Sequence, residues 1–283
     1  MSGIPAVIGS QEPWGGGQVS PGVECILAPN PSPMTLDGTN TWLLMSADRA
    51  IVVDPGPDDP KHLSAITAAL HDRDIRPEVI LLTHGHADHS AGAANLANSL
   101  ETPVRALDPQ HQLGTEGLAE GDELVVGDIE LRVIETPGHT ADSLSFHLPG
   151  SEAILTGDTV LGRGTSVIAW PDGSLSDYLR SLEKLRRLAE EVELHVVLPG
   201  HGPAVTEPGQ LLADYLLHRE ERLNQVRAAV AEGAASVAEI VEVVYQPLPA
   251  ELVPAAQAST AAQWDHLAKL GEVPPRGVIL PDD

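Results

Sequence analysis

Short apolar runs alternate with loops and helical stretches through most of the chain. Glu24–Ala28, Thr41–Met45 and Ala50–Asp54 have the length and apolar character of strands. "PDDPKHLSAITAALHDRD" follows them and reads as a helix, with Leu63, Ile66, Ala69 and Leu70 on one face. Glu78–Leu82 is an aliphatic, buried-type strand that runs directly into "THGHADHSAG", and a helix is expected near Ala91–Ser99. Val104–Ala106, Glu123–Val126, Glu130–Glu135, Leu144–Leu148 and Ala153–Thr156 read as further strands. "SLSDYLRSLEKLRRLAEE" is an amphipathic helix with Leu179, Leu182, Leu185 and Leu188 at helical spacing and Ser174 or Ser176 as its cap. His195–Leu198 is a strand that stops at "PGHG". Beyond Pro208 the pattern becomes helical, roughly Gly209–Ala231, Val237–Val244 and Glu251–Leu270. This mixture, with many antiparallel-looking pairs, predicts an α/β sandwich and not a doubly wound parallel sheet.

A chain of 283 residues fits one catalytic domain plus a small appendage. The expected division is a flexible tail over residues 1–21, including Gly15, Gly16 and Gly17, a catalytic domain over 22–207 and a helical domain over 208–283. Charge changes the picture of partners. With 41 acidic against 16 basic residues the formal net charge is −25, which repels phosphate backbones and anionic membranes and favours cations. Cys25 is the only cysteine, so an intrachain disulfide is excluded and a reducing, cytoplasmic setting is expected. The start of the chain carries neither a basic segment nor an apolar run of signal length, and no stretch approaches the ~20 apolar residues of a membrane span.

The candidate chemistry lies in four loops, each following an expected strand. The first holds His84, His86, Asp88 and His89; the others hold His139 in "ETPGHTADS", Asp158 in "LTGDT" and His201 in "LPGHGP". Neighbouring Gly and Pro make tight turns that project a side chain past a strand end. In an extended loop His84 and His86 point the same way and can share one metal, while Asp88 and His89, at the turn into the next helix, can hold a second. Imidazole and carboxylate without a cysteine set suit zinc. The expected distribution is His84, His86 and His139 on one ion and Asp88, His89 and His201 on the other. Asp158 would bridge them, and Asp88 and Asp158 would relay protons. The remaining histidines, His62, His71, His111, His147, His195, His218 and His266, are expected as surface or strand residues, with His218 a candidate for a site role. Trp170, which follows the Asp158 loop, is a candidate pocket wall, and Arg180, Lys184 and Arg187 are expected on a solvated helix face.

In the order "VDPG", "THGHADH", "PGHT", "GD" and "PGHG", the chain resembles the metallo-β-lactamase superfamily. More narrowly, "MTLDGTNTWLL", "ETPGHTADSLSF", "GDTVLGRGTSV", "LPGHGP" and "HREER" resemble the β-lactamase-like protein 2 subgroup, from about residue 22 into the C-terminal helices. The resemblance implies an αββα sandwich with a small helical, winged-helix-like C-terminal domain. It also implies two zinc ions per chain at the positions named, with Asp54 ordering the metal loop and Thr140 supporting it. Di-iron electron-transfer members carry Glu where His86 stands, so His86 favours hydrolysis. Single-iron relatives share the whole motif, which keeps iron, and with it manganese, as alternatives.

Two functions follow. The favoured one is zinc-dependent hydrolysis, by a metal-bridging hydroxide, of a small acyl substrate: a thioester, ester, lactone or β-lactam. The subgroup resemblance suggests instead a metal-dependent endoribonuclease on single-stranded RNA. Nucleic-acid binding calls for a basic footprint and aromatic platforms. From residue 219 onward there are five bases against ten acids, and aromatic residues are 3% of the chain, so RNA is disfavoured as a partner.

Overall fold

The computed structural model describes residues 8–10 and 12–275. Two mixed sheets stack face to face among these residues. The first runs in the order β1 (Gly17–Ser20), β2 (Val23–Leu27), β3 (Asn40–Ser46), β4 (Arg49–Val53), β5 (Arg76–Leu81) and β6 (Val104–Arg105). The second contains β7 (Glu123–Val126), β8 (Ile129–Glu135), β9 (Leu144–Leu148), β10 (Ala153–Gly157) and β11 (Val196–Pro199), with β7 at one edge and β11 at the other. Hairpin-linked strands pair antiparallel. The helix-linked pairs β4·β5 and β10·β11, together with β5·β6, run parallel.

The period-2 alternation of strand side chains creates the layers. Trp42, Leu44, Ile51, Val53 and Leu81 point inward and meet Val133, Leu144, Phe146 and Leu155 of the second sheet. Their neighbours Leu43, Ala50, Val52 and Ile80 point outward beneath α1 (Pro60–His71) and α3 (Ala93–Leu100), which supply Ile66, Leu70, Leu96 and Ala97. On the far side Ile134, Ile154 and Val197 are covered by Leu175, Tyr178, Leu182 and Leu185 of α4 (Leu175–Glu191). The result is an αββα sandwich. Ser174, not Ser176, caps α4 by accepting from the Asp177 amide.

Among the described residues three α-helices follow: α5 (Pro208–Ala231), α6 (Val237–Val244) and α7 (Val253–Lys269). Leu211, Tyr215, Trp264 and Leu267 join the same apolar cluster as Tyr178 and Leu182 of α4, so residues on both sides of position 207 share one core. Among the described residues of this region, up to 275, no strand accompanies these helices. No described helix is long and apolar enough to cross a membrane.

Several local expectations are corrected. Part of the expected flexible tail is ordered: Gly17–Ser20 extends the sheet as β1, because Val23–Leu27 would otherwise leave an open edge, and Trp14 Nε1 donates to Asn40 Oδ1 at 2.8 Å. The helix expected near Ala91–Ser99 is α3, and a further short helix, α2 (Ala87–Ser90), precedes it, so Asp88 and His89 sit on a helical turn. His62 is not a surface residue. It is buried in α1, where its Nε2 lies 2.8 Å from Thr41 Oγ1, and burial pushes its pKa down to about 4.

Asn40 ties the two sheets together where the site forms. Its amide nitrogen donates to the carbonyls of Pro199 (2.9 Å) and Gly202 (2.8 Å), and its oxygen accepts from Trp14 and Cys25. Asn40→Ala would leave the Gly202 carbonyl and the Trp14 indole N–H without partners and take from the Pro199 carbonyl one of its two donors, the other being Trp42 Nε1, and is predicted to lower stability by about 2–4 kcal/mol in denaturant unfolding.

Candidate metal centre

The seven histidines and aspartates converge at one end of the sandwich from loops far apart in the chain. Their positions follow from the strands. β5 delivers the extended stretch His84–His86 and then the turn of α2 with Asp88 and His89. The loop between β8 and β9 carries His139, the end of β10 carries Asp158, and the end of β11 carries His201. His139 Nε2 lies 3.1 Å from His86 Nδ1, and His89 Nε2 lies 3.3 Å from His201 Nε2. Two nitrogens each about 2.0–2.1 Å from one tetrahedral zinc stand about 3.3 Å apart, so both pairs have the spacing of shared ligands. His84, His86 and His139 form one group of converging donor atoms, Asp88, His89 and His201 a second, and His84, His89 and Asp158 a third that links them. Asp158 is 3.4 Å from His89 Nε2, 3.3 Å from His201 Nε2 and 3.7 Å from His139 Nε2.

The far side of each ring decides which nitrogen faces the centre. Thr83 Oγ1 donates to Asp54 Oδ2 (2.6 Å), so it can only accept from His84 Nδ1–H (3.0 Å). His84 Nε2 therefore keeps its lone pair, and it is buried without a hydrogen-bond partner, as is Asp158 Oδ1. An orphaned imidazole nitrogen and carboxylate oxygen in a dry interior are costly unless a cation completes them. The donor set thus fits metal ions. His139 Nδ1–H donates to the Val167 carbonyl (2.8 Å), and His201 Nδ1 lies 3.1 Å from the Gly38 carbonyl. His89 Nδ1 is held by Asp54 Oδ2 at 2.8 Å. Such outer partners fix ring orientation and raise ligand basicity.

Asp54 takes the strain of this arrangement. Its φ of 51° lies in the left-handed region that non-glycine residues rarely occupy. That backbone lets one carboxylate serve the Thr83 amide (2.7 Å), the Thr83 hydroxyl and the His89 ring together. The Thr140 amide and hydroxyl bond Ser143 Oγ and close the turn that carries His139. Gly200 is required by close approach, since a Cβ there would strike Asp158 Oδ1 and the His89 ring. Gly85, between two ligands, leaves room for His111 and Asp142 to come over the loop.

Electrostatics in the metal-free cluster are set by competition between burial and mutual attraction. Burial disfavours charge on His201, but Asp158 and Asp88 outweigh it and lift the ring to about 9. Burial likewise opposes charge on His89, yet Asp158 and Asp54 raise it well above the ordinary range. Burial and the neighbouring His89 hold His84 well below it, and burial lowers His139. Against their own burial, His201 and His89 depress Asp158, and a bond from His201 depresses Asp88. His86 is exposed and Asp88 half-buried, so the centre opens to solvent on their side.

The structure does not bring Trp170 and His218 into the ligand cluster. Trp170 is 41% exposed on the loop that follows Asp158. His218 lies on α5, its Nδ1 buried without a partner; burial and then Arg219 and Arg222 lower its pKa to about 4. Sequence reasoning missed Thr83, Ser166 and the carbonyls of Gly38 and Val167. A backbone acceptor leaves no residue signature, but the Thr directly before the first His was open to view.

Comparison with known proteins places the chain among metallo-β-lactamase relatives. The family model described as metallo-beta-lactamase superfamily matches residues 34–201. A beta-lactamase-like protein 2 homolog of Caenorhabditis elegans is 33% identical over 223 residues, covering 76% of this chain and 73% of its own. An atrochrysone carboxyl ACP thioesterase of Aspergillus fumigatus is 30% identical over 249 residues, covering 83% and 77%. The crystal structure of a metallo-beta-lactamase family protein from Thermus thermophilus superposes with a TM-score of 0.75 at 22% identity, over 90% of this chain and 95% of that one.

Two outcomes are expected. Asp54→Asn removes the carboxylate that orients His89 and Thr83, and is predicted to weaken zinc binding roughly 10–100-fold in chelator competition. A metal displaces the Nε2 proton of His201, whose pKa of about 9 means it is protonated at pH 7. Zinc loading of metal-free protein should therefore release protons at pH 7, measured by calorimetry in buffers of different ionisation enthalpy, and affinity should fall as pH falls. Release from this group should fade above pH 9.

Proposed function

Because this chain belongs to the metallo-β-lactamase superfamily, we propose that it is a dinuclear zinc hydrolase of small acyl substrates, thioesters first among them. The observation that carries the reading is the pair of three-residue donor groups joined by a third, His84, His89 and Asp158, which shares one histidine with each. Iron or manganese would fit the same nitrogen and oxygen donors less characteristically than zinc. The thioester preference draws on the A. fumigatus relative, which is named a thioesterase.

Bound zinc would supply Lewis-acid activation of a water and of the acyl carbonyl. The chain's own residues do the rest. His84, His86 and His139 would hold one ion and Asp88, His89 and His201 the other, with the Asp158 carboxylate available to both. Rings locked by Thr83, Asp54, Val167 and Gly38 need no reorganisation as charge develops, which is where preorganised sites gain their rate. Asp88 stands at the open side with a half-buried carboxylate, placed to take the proton of the attacking water and return it to the leaving group. Trp170 offers an exposed aromatic wall to an acyl chain, and the unsatisfied Nδ1 of His218 makes it the candidate polar contact.

The RNA reading is weaker on charge. A protein gripping several phosphates does so with Lys and Arg, and a chain of net charge −25 has few to spare. The test is a panel of thioesters, lactones, a chromogenic β-lactam and unstructured RNA, with zinc-loaded wild type beside Asp158→Ala. Expected is acyl hydrolysis that falls at least 100-fold in the variant, with the thioester the best substrate. RNA cleavage lost in the variant, without acyl hydrolysis, would reverse the ranking.

A further inference from the structure

We propose that Arg219, on a helix beyond the matched family region, is a positioning residue for the metal centre, acting on His139 and Asp158 together through Ser166 and Val167. The residue is only 4% exposed, although it carries a permanent charge. Its Nη2 donates to the Ser166 carbonyl at 2.6 Å, its guanidinium carbon lies 4.9 Å from the Tyr178 ring centroid, and its Nε has no hydrogen-bond partner. A guanidinium left partly unsatisfied in the interior is an expensive way to pin a loop, and a neutral side chain would serve ordinary packing better.

What Arg219 pins is specific. Ser166 Oγ donates to the carbonyl of Asp158 at 2.5 Å, so one arm of the anchored residue reaches the bridging aspartate. The next residue, Val167, presents the carbonyl that accepts from His139 Nδ1–H. The Ser166–Val167 peptide is planar and stiff. Fixing the Ser166 carbonyl therefore restricts the adjacent Val167 unit, and with it the orientation of the His139 ring. Two ligands from different loops, one in the first donor group and one in the group that links both, are thus tied to two adjacent residues, Ser166 and Val167, held by one arginine. The same loop is also secured at the Thr159 carbonyl, which accepts from Tyr178 Oη at 2.6 Å and from Ser166 Oγ at 3.3 Å, and at the Leu161 amide, which donates to Tyr215 Oη at 2.7 Å. Tyr215 lies one turn before Arg219 on the same helix, so it serves as the control for a purely structural role.

The inference rests on the metal reading, and the experiment separates the two. Zinc affinity and stoichiometry are measured by chelator competition on metal-free wild type, Arg219→Met, Arg219→Lys and Tyr215→Phe, beside melting temperatures of the metal-free proteins. The His139 tautomer is read from ¹⁵N chemical shifts. Arg219→Met is expected to weaken at least one zinc by roughly 10–100-fold, the usual cost of losing an outer partner, and to lose the single Nδ1–H tautomer of His139. Arg219→Lys should recover part of the affinity. Tyr215→Phe should lower the melting temperature while leaving zinc affinity and the tautomer in place. Should Arg219→Met not fold, Ser166→Ala carries the test, because it cuts the arm to Asp158 alone; a several-fold weaker zinc is expected. Wild-type affinity for both ions in the folded variant, or equal weakening in Tyr215→Phe, would overturn the inference while leaving the metal reading intact. A wild type that bound no zinc would overturn both.

Discussion

The constraint on which the rest of the structure depends is the convergence of five imidazoles and two carboxylates, with donor atoms within 4.8 Å of one another in each group. Without a cation these groups must share protons, as the opposed shifts of His201 and His84 record. Such a cluster persists only if the scaffold holds each ring from behind. The sandwich does this by bringing the ends of β5, β8, β10 and β11 to one edge, and by placing buried polar groups there. Asp54 accepts a strained backbone, Asn40 clamps β3 to the Pro199–Gly202 turn, and Thr83 fixes the tautomer of His84.

The C-terminal helices belong to the same account. Tyr178 of α4 and Tyr215 and Arg219 of α5 reach the loop from Thr159 to Ser166, and their side chains sit in or beside one apolar cluster. Core packing and metal geometry are therefore joined through a few buried hydrogen bonds. Such bonds are worth most where water is excluded.

Much of this was legible in the chain. The strands with continuous aliphatic character, such as Val79–Leu81, were readable because burial on both faces removes alternation, and the four ligand loops because His or Asp beside Gly or Pro after a strand is a local signal. What escaped has physical reasons. β1 contains Val19 as its one apolar side chain, so no alternation marks it. The break between α2 and α3 falls among small residues, Ala91 and Gly92, that interrupt no apolar period. His62 looked like a helix-surface residue because its partner, Thr41, is distant in sequence. Arg219 lies among the charges of "HREER", where composition alone cannot distinguish a buried guanidinium from a solvated one.

The central claim is that the cluster holds two metal ions spanned by Asp158. Anomalous diffraction from crystals of zinc-loaded protein, collected on both sides of the zinc absorption edge, tests it most directly. The account predicts two peaks per chain about 3.5–4 Å apart, one against His84, His86 and His139, the other against Asp88, His89 and His201. A single peak, or two peaks with neither touching Asp158, would contradict it.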